Sequence, residues 1–446
     1  MEEAPVIFQG IEETLSIVDT GGDLVRYLTR KNPICPLIGS RIKLLKKLGE
    51  GVAGAAFLIS IEGLGEKEYV VKKSQTFAET RKWMHVPHAL KDVAKIVSKQ
   101  VLVPAETVIA LNGGDPEHLI TRGDPLFIPS YAEICLLSED LTVKRFDTGE
   151  YITTPPGSYV CEENAYSEYV NSLLAGQLYQ QGKSMNFFSV FEFATCPDHG
   201  DDPEEVYQYT FMEKIDDTLR GILNDVLSEE HHSVAAGILV QTLHAIATYQ
   251  HNYKLSHNDL HDDNVFIEYV TEKTEFGGEK LIDADYYHYR IDDVDIYIPA
   301  SKYIVKIGDW GLSVKWSAPI VGDRTSMIGG YDQDDGGGPW VPNWYSANYD
   351  STFITSRMWL MADRSGFSHP FLKRAWATCI NLHPDISDDD LMEVTERTLQ
   401  RNTRVKLDLL HNFTHADAAN LLTNSGLMGS YLTRPSSGKI VTLGVI

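Results

Sequence analysis

The feature that most constrains this fold is the segment VAAGILVQTLHAIATYQHNY at 234–253, whose apolar residues fall on nearly every side of a helix. A surface helix carries one apolar stripe, whereas a helix that is apolar all round must be enclosed by other elements. We therefore expect a buried helix here. Helical patterns also dominate from 350 to about 428, so the second half of the chain predicts a large, mainly helical part.

The first half of the chain has a different pattern. IKLLKKLGEG, AAFLISI and YVVKK read as three strands joined by a glycine-rich turn and a short connection, which predicts an antiparallel meander. A helix is expected at 82–100 and another at 163–181, and NFFSVFEF and VYQYTFMEKI read as two further strands. The sequence therefore predicts an α+β protein, with a β-rich part that contains one conspicuous helix followed by a larger helical part.

Composition narrows the classes of function. A chain of 446 residues is expected to form two domains, and its formal net charge of -24 argues against nucleic acid or an anionic membrane as the partner. No apolar run approaches the roughly 18–20 residues that span a bilayer, and the N-terminus is acidic where a secretory signal would be basic. The five cysteines are scattered, odd in number and without a C-x-x-C pair, so we expect free thiols of an intracellular protein.

The glycine-rich turn fits the pattern G-x-G-x-x-G, formed by Gly49, Gly51 and Gly54. Glycines let backbone N–H groups approach phosphate oxygens, but hairpin turns are rich in glycine for their own reasons. A dinucleotide site needs a helix after the turn, and here a strand follows. A lysine on the next strand is a suitable cation for nucleotide phosphates. Lys72 and Lys73 should point to opposite faces of that strand, so one of them should be solvated, and we favour Lys72 as the phosphate ligand.

The most polar cluster is SHNDLHDDN at 256–264. Its histidines and aspartates could hold a metal ion for hydrolysis, or the segment could be a solvated loop. A third interpretation uses the strand end at Asp309, where aspartate, tryptophan and glycine follow one another. Asp259 would then accept the proton of an attacking hydroxyl, Asn264 and Asp309 would hold Mg²⁺, and Lys72 with the glycines would fix a triphosphate.

These motifs together resemble a known family. In order, L-G-E-G-V-A-G, Y-V-V-K, H-N-D-L-H-D-D-N and D-W-G identify the chain as a member of the protein-kinase-like superfamily. The resemblance implies a bilobal fold with two large insertions and Mg²⁺-ATP as the phosphate donor. The implied parts are a leader at 1–40, an N-lobe at 41–215, a C-lobe at 216–446, and insertions at about 74–161 and 271–300.

The resemblance also implies individual roles. Glu168 of the helix at 163–181 would pair with Lys72, and Glu163 is the second candidate. His257 would brace the loop and Asp350 would support it from a helix, while Asp262 and Asp263 receive no role. Residues that would contact the nucleotide are Gly49, Gly51, Gly54, Val70, Lys72, Met212, Glu213, Ile215 and Asp217.

The chain also departs from the family pattern. Asn258 replaces the arginine that receives an activating phosphate, and Trp310 replaces a phenylalanine as a bulky anchor. His261 replaces the lysine that contacts the γ-phosphate, which is similar to haspin-like kinases and to aminoglycoside and choline phosphotransferases. The A-P-E element is not visible, and GPWVPNW at 338–344 occupies its region.

The phrase IYIPASKYIVKIGDWG resembles kinases of large nucleocytoplasmic DNA viruses. The leading expectation is therefore a viral serine/threonine protein kinase of the host cytoplasm or the virion. A small-molecule kinase and a catalytically inactive structural protein of the virion remain the alternatives. Acidic residues in the second insertion would suit a basic protein substrate, or they would simply form a solvated face. They are Asp283, Asp285, Asp292, Asp293 and Asp295.

Overall fold

The fold is described from a computed structural model of the chain, in two compact units. We call the described parts of Asp19–Leu174 and Ser189–Lys214 the sheet unit, and those of Ala175–Phe188 and Ile215–Ile446 the helical unit. The structure describes residues 35–51, 54–63, 68–82, 87–101, 105, 108–109, 112–122, 124–129, 142–144, 151–153, 165–197, 205–228, 231–253, 255–270, 283–311, 313–315, 348–400 and 416–446.

The sheet unit is built on one antiparallel sheet. Its strands are β1 (Ile42–Gly51), β2 (Gly54–Ile61), β3 (Tyr69–Lys82), β6 (Pro125–Pro129), β9 (Val190–Pro197) and β10 (Glu205–Met212). They run in the order β1-β2-β3-β10-β9, with β6 paired to the far end of β3. The predicted meander of the first three strands is confirmed by their antiparallel registers.

The helix expected at 82–100 begins later than predicted. Helix α1 spans Leu90–Val101, because β3 continues to Lys82 through pairing with β6, a partner more than forty residues further along the chain. Around α1 lies a small apolar cluster that includes Val93, Ile120 and Leu126. The short strands of this region are β4 (His88–Ala89), β5 (Leu119–Ile120), β7 (Thr142–Lys144) and β8 (Tyr151–Thr153).

A disulfide corrects the expectation of free thiols. Cys35, in a short 3₁₀ turn, is bonded to Cys196 on β9, with a Cα–Cα distance of 5.4 Å. The two cysteines are 161 residues apart in sequence, so no local spacing could reveal the pair. Cys379 is a free, buried thiol. Cys135 and Cys161 lie outside the described residues.

The helix predicted at 163–181 is present as α2 (Ala165–Gln180). Its residues up to Leu174 group with the sheet unit, and those from Ala175 onward group with the helical unit. The second unit then contains most of the helices of the described chain. They are α3 (Leu219–Val226), α4 (His232–Tyr253), α5 (Tyr349–Arg364), α6 (Pro370–Cys379), α7 (Asp388–Gln400), α8 (Ala418–Thr423) and α9 (Ser425–Met428).

Helix α4 is the all-apolar helix of the sequence, and every residue from Ala235 to Gln250 is buried. Its prediction is therefore confirmed. Among the described residues, no helix has both the length and the hydropathy that crossing a membrane requires.

The helical unit also contains small sheets. The strands are β11 (Asp217–Thr218), β12 (Leu255–Ser256), β13 (Val265–Tyr269), β14 (Tyr286–Ile291), β15 (Val294–Pro299), β16 (Tyr303–Ile307), β17 (Val314–Lys315) and β18 (Ile440–Val445). Two of these sheets position the polar loop at 256–264, because β12 precedes it and β13, which pairs with β16, follows it.

The described part of the 271–300 insertion is a hairpin of β14 and β15, and β14 also pairs in parallel with β18 at the chain end. Two of its tyrosines are core residues, since Tyr287 and Tyr289 are 1% and 0% exposed. Most of its aspartates are exposed, and Asp295 is partly buried in an ion pair with Arg290.

Candidate functional site

The loop that follows β12 is held by one buried carboxylate. Asp350, in the first turn of α5, is fully buried and accepts hydrogen bonds from the backbone N–H groups of His257 at 2.8 Å and Asn258 at 2.7 Å. Burial raises the pKa of the Asp350 carboxyl, although these hydrogen bonds act in the opposite direction. Asn258 has φ = 66°, a left-handed conformation that asparagine tolerates better than most residues. The brace that the sequence assigned to Asp350 is present.

The same loop is joined to the strand end at Asp309. The His257 ring is fully buried, and its Nε2 lies 2.9 Å from the carbonyl oxygen of Gly308. The Gly308 N–H donates to the carbonyl oxygen of Asn264 at 3.3 Å. One side-chain bond and one backbone bond therefore join the two segments that carry the candidate residues. His257 acts as the brace that the sequence predicted.

Asp259 and Asn264 contact each other within the loop. Asn264 Nδ2 donates to the carbonyl oxygen of Asp259 at 2.8 Å and to its carboxylate oxygen Oδ2 at 3.2 Å. The amide nitrogen of Asn264 is thus used inside the loop, so the atom that Asn264 could offer a cation is its amide oxygen.

His261 lies beside the same carboxylate. Its Nε2 is 3.6 Å from Asp259 Oδ2 and its Nδ1 is 3.8 Å from Asp263 Oδ2. Partial burial lowers the pKa of His261, but the nearby carboxylates of Asp259 and Asp263 outweigh it and raise the pKa above its usual value. His261 Nδ1 also accepts a hydrogen bond from the backbone N–H of Asp263 at 3.2 Å, so Nε2 is the ring nitrogen that could donate to an anionic ligand.

Asp309 and Trp310 form the turn after β16. Asp309 has φ = 62°, and the Trp310 side chain is 1% exposed. The indole packs against the rings of Tyr249, His257 and Phe187, with centroid distances of 4.0, 4.5 and 6.0 Å. Trp310 is therefore the buried anchor that the sequence predicted, and its packing holds the turn at Asp309 in place.

Within the described chain, no three histidine, cysteine, aspartate or glutamate side chains converge as a protein-only metal site requires. A magnesium ion that binds with a nucleotide takes most of its ligands from phosphate oxygens and water, so one or two protein groups are enough. Asn264 and Asp309 have the ligand types for such an ion.

Sequence reasoning missed the role of Asp262. It gave this residue none, yet the carboxylate is fully buried and bonded to Arg220 and Arg357. The arginines lie on α3 and α5, far from the loop in sequence, so no local pattern could reveal them.

In the sheet unit, Lys72 and Glu168 form an ion pair. Lys72 Nζ lies 2.7 Å from Glu168 Oε1, and the two side chains are 15% and 10% exposed. The pair joins β3 to α2, as the family resemblance implies. Glu163, the second candidate, lies outside the described residues. Lys73 is not simply solvated, because its Nζ lies 3.6 Å from the centroid of the Tyr207 ring.

The glycine-rich turn connects β1 to β2, and Gly51 faces Gly54 across the hairpin. Gly49 lies on β1 with open space around its Cα, and Val52 and Ala53 lie outside the described residues. Gly54 has φ = 150°, and a Cβ there would collide with the backbone of Lys73. Close packing of β2 on β3 therefore explains Gly54 without any phosphate.

The other nucleotide-contacting residues that the resemblance implies lie on β3, at the end of β10 and after it. Val70 on β3 is 5% exposed and pairs with Met212, the last residue of β10. The Glu213 N–H donates to the Ser189 carbonyl oxygen at 2.9 Å, and the Glu213 carboxylate accepts from the Ser189 N–H at 3.1 Å. Because its N–H is already used, Glu213 could meet a nucleobase only through its carbonyl oxygen.

Beyond the sheet unit, Ile215 lies in an irregular segment and is partly exposed. Asp217 has a local role that the sequence did not predict. Its Oδ1 accepts from the N–H of Thr218 at 2.8 Å, and its Oδ2 accepts from the hydroxyl of Tyr269 at 3.1 Å. A ribose hydroxyl would have to compete with these bonds.

No protein-family profile and no curated protein sequence matches this chain. The function is therefore argued from the residues themselves. Each unit contains a feature of chemical interest: a buried lysine–glutamate ion pair in one, and in the other a braced loop that presents a carboxylate, an imidazole and an amide.

Proposed function

We propose that this chain is a Mg²⁺-ATP-dependent phosphotransferase of the bilobal protein-kinase-like type, and that it acts as a serine/threonine protein kinase. The observation that carries the proposal is the Lys72–Glu168 ion pair at 2.7 Å. Its members stand 96 positions apart in sequence, and the family resemblance named both as partners.

In the proposed reaction, the Glu168 carboxylate orients the Lys72 ammonium group, which neutralises charge on the nucleotide phosphates. Gly49 and Gly51 bring backbone N–H groups close to the same phosphates. Asn264 and Asp309 would hold Mg²⁺, which supplies further neutralisation of phosphate charge.

Asp259 accepts the proton of the acceptor hydroxyl, which leaves that oxygen free to attack the γ-phosphorus. Its carboxylate is partly exposed, with 29% side-chain exposure, and is held beside Asn264. His261 would contribute positive charge next to the transferred group, in place of the family's lysine. The raised pKa of His261 supports this role, while the hydrogen bond that Nδ1 accepts from the Asp263 N–H opposes it.

A small-molecule kinase is the second candidate, and His261 is the observation that favours it. Phosphotransferases that act on aminoglycosides and choline are similar to this chain in having a histidine at that place. The region of the A-P-E element, which would bear on a protein-substrate groove, lies outside the described residues. A catalytically inactive protein of the virion is the third candidate.

One assay separates the three candidates. Purified wild type is incubated with γ-labelled ATP and Mg²⁺ in the presence of casein, basic proteins such as histones, or a panel of aminoglycosides, choline and related alcohols. The Asp309→Ala variant serves as the inactive control, and Asp225→Ala serves as a matched control for loss of an exposed aspartate.

The proposal predicts label in protein, with basic proteins as the preferred acceptors, for wild type and Asp225→Ala alone. Label only in small molecules would replace the protein kinase with the second candidate. Equal background labelling by wild type and Asp309→Ala would reject phosphotransfer altogether and leave the structural protein.

A further inference from the structure

The loop at 257–264 alternates between exposed and buried side chains. Asp259, His261 and Asp263 have side-chain exposures of 29%, 30% and 40%. Leu260 and Asp262, which lie between them, are both fully buried. The loop therefore presents its reactive groups on one side and is anchored on the other side by one apolar and one charged residue.

A buried carboxylate is an unusual anchor, and Asp262 has two cationic partners. Arg220 Nε donates to Oδ2 at 2.8 Å, and Arg357 Nε donates to Oδ1 at 3.1 Å, with a further close contact from Arg357 Nη2. Both carboxylate oxygens are thus bonded to guanidinium groups. The backbone takes part as well, since the Arg220 N–H donates to the Asp262 carbonyl oxygen at 3.1 Å.

The balance of charge around Asp262 favours the ionised form. Burial raises the pKa of the Asp262 carboxyl, but the hydrogen bonds from Arg220 and Arg357 and the charge of Arg357 overcome it, and the pKa is lowered. Arg220 also contacts Asp263, at 2.9 Å from Nη2 to Oδ2. A buried carboxylate without such partners would be strongly unfavourable, so the three residues depend on one another.

Helix α5 holds the loop at both of its ends. Asp350 accepts from the backbone at the start of the loop, and Arg357 binds Asp262 near its end. Positions 350 and 357 are about two helical turns apart and lie on one face of the helix. Arg220 of α3 also binds Asp262, so a second helix contacts the loop. The span that contains Asp259 and His261 is therefore held on one side by Asp350 and on the other by the two arginines.

We infer that Asp262, together with Arg220 and Arg357, is a positioning device that sets the geometry of Asp259 and His261. None of the three needs to touch the substrate for this role. The inference rests on the proposed phosphotransfer for its kinetic consequence, but its structural consequence stands apart from that activity.

The test compares Asp262→Asn and Arg357→Gln with a control, Asp388→Asn. The control removes another cation-paired carboxylate of the same unit, because Asp388 Oδ1 lies 2.7 Å from Lys373 Nζ. Arg357→Gln removes the charge of a partly exposed side chain, so we expect this variant to fold even if Asp262→Asn does not. Arg357→Lys tests whether a simpler cation restores the effect.

Two readouts are used on the full chain. Amide hydrogen exchange of a peptide that contains 257–264 reports the order of the loop without any substrate. Steady-state kinetics with Mg²⁺-ATP separate kcat from KM, because misplacement of reacting groups lowers kcat while nucleotide binding is retained.

We expect Asp262→Asn and Arg357→Gln to raise loop exchange about tenfold or more. The same variants should lower kcat about 10- to 100-fold while the KM for ATP stays within about threefold. Arg357→Lys should recover part of both effects, and Asp388→Asn should show neither. Loop exchange that is unchanged in the variants, or raised equally in Asp388→Asn, overturns the inference. Wild type that transfers no phosphate would instead refute the proposed function, while the exchange data would still decide the inference.

Discussion

At the residue scale, single buried charges determine the shape of the loop at 257–264. Asp350 accepts hydrogen bonds from two backbone N–H groups that have no partner within a helix or a sheet. Gln250 Nε2 also donates to it, at 3.3 Å. A buried N–H group that loses its acceptor destabilises the folded state by the full free energy of its desolvation. The order of the loop therefore depends on this one carboxylate.

We predict that Asp350→Ala lowers the free energy of unfolding by about 2–5 kcal/mol. The cause is that the N–H groups of His257 and Asn258 would be buried without an acceptor. Urea unfolding followed by circular dichroism measures the effect.

The control for this prediction is Asp363→Ala, which removes a partly exposed aspartate from the same helix. It should change the unfolding free energy by less than about 1 kcal/mol. Equal losses in the two variants would mean that Asp350 braces nothing.

Residue-level prediction from the sequence worked where a role depends on local spacing, and failed where it depends on distant partners. The spacing of Asp259 and Asn264 placed both in one loop, where they are now seen in contact at 3.2 Å. Asp262 received no role, because its partners are 42 and 95 positions away. The same reason applies to Asp217, whose bond to Tyr269 spans 52 positions.

At the element scale, the residue pattern of a segment was enough to predict an element that is apolar or amphipathic along its own length. Helix α4 was predictable because it is buried on every side, and the β1–β3 meander because its strands follow one another. The length of β3 and the parallel pairing of β14 with β18 were not predictable. Strand pairing depends on neighbours that are brought together by the rest of the fold.

The Cys35–Cys196 bond gives an element-level prediction. It ties a 3₁₀ turn to β9 and closes a long loop, which restricts the unfolded chain. We expect Cys35→Ser to lower the stability of the sheet unit by about 2–4 kcal/mol under non-reducing conditions. Thermal unfolding with and without dithiothreitol measures the effect.

Dithiothreitol provides the internal control. It should lower the stability of wild type to that of Cys35→Ser, and it should leave the stability of the variant unchanged. Peptide mapping without reduction should find residues 35 and 196 in one cross-linked fragment. A wild type that is insensitive to dithiothreitol, with both thiols open to alkylation, would contradict the bond.

At the scale of the whole molecule, buried histidines determine how stability responds to acid. Burial is the main cause that lowers the pKa of His244 and of His369 to about 4. In an unfolded chain a histidine titrates near pH 6.5. Between these values the unfolded chain binds protons that the folded chain does not, so stability falls as the pH drops from about 6.5 to about 4.

The variant His369→Asn tests this dependence. Nδ1 of His369 accepts from the N–H of Leu372 at the start of α6, and asparagine is a favourable residue at that capping position. The variant should keep the cap but lose one titrating group. We expect wild type to lose up to about 1.4 kcal/mol more per pH unit than His369→Asn in this window. Urea unfolding at pH 7, 6 and 5 gives the two slopes, and parallel slopes would contradict the account.

The central claim, the proposed transfer of a phosphate group, also concerns the whole molecule. It is tested most directly by the initial rate of γ-phosphate transfer from Mg²⁺-ATP for wild type, Asp259→Asn and Asp263→Asn. The two aspartates belong to the same loop and are similarly exposed, but only Asp259 is proposed to accept the acceptor's proton. We predict that Asp259→Asn lowers the rate by about 10²- to 10⁴-fold, while Asp263→Asn stays within about tenfold of wild type. Equal rates for wild type and Asp259→Asn would contradict the proposal.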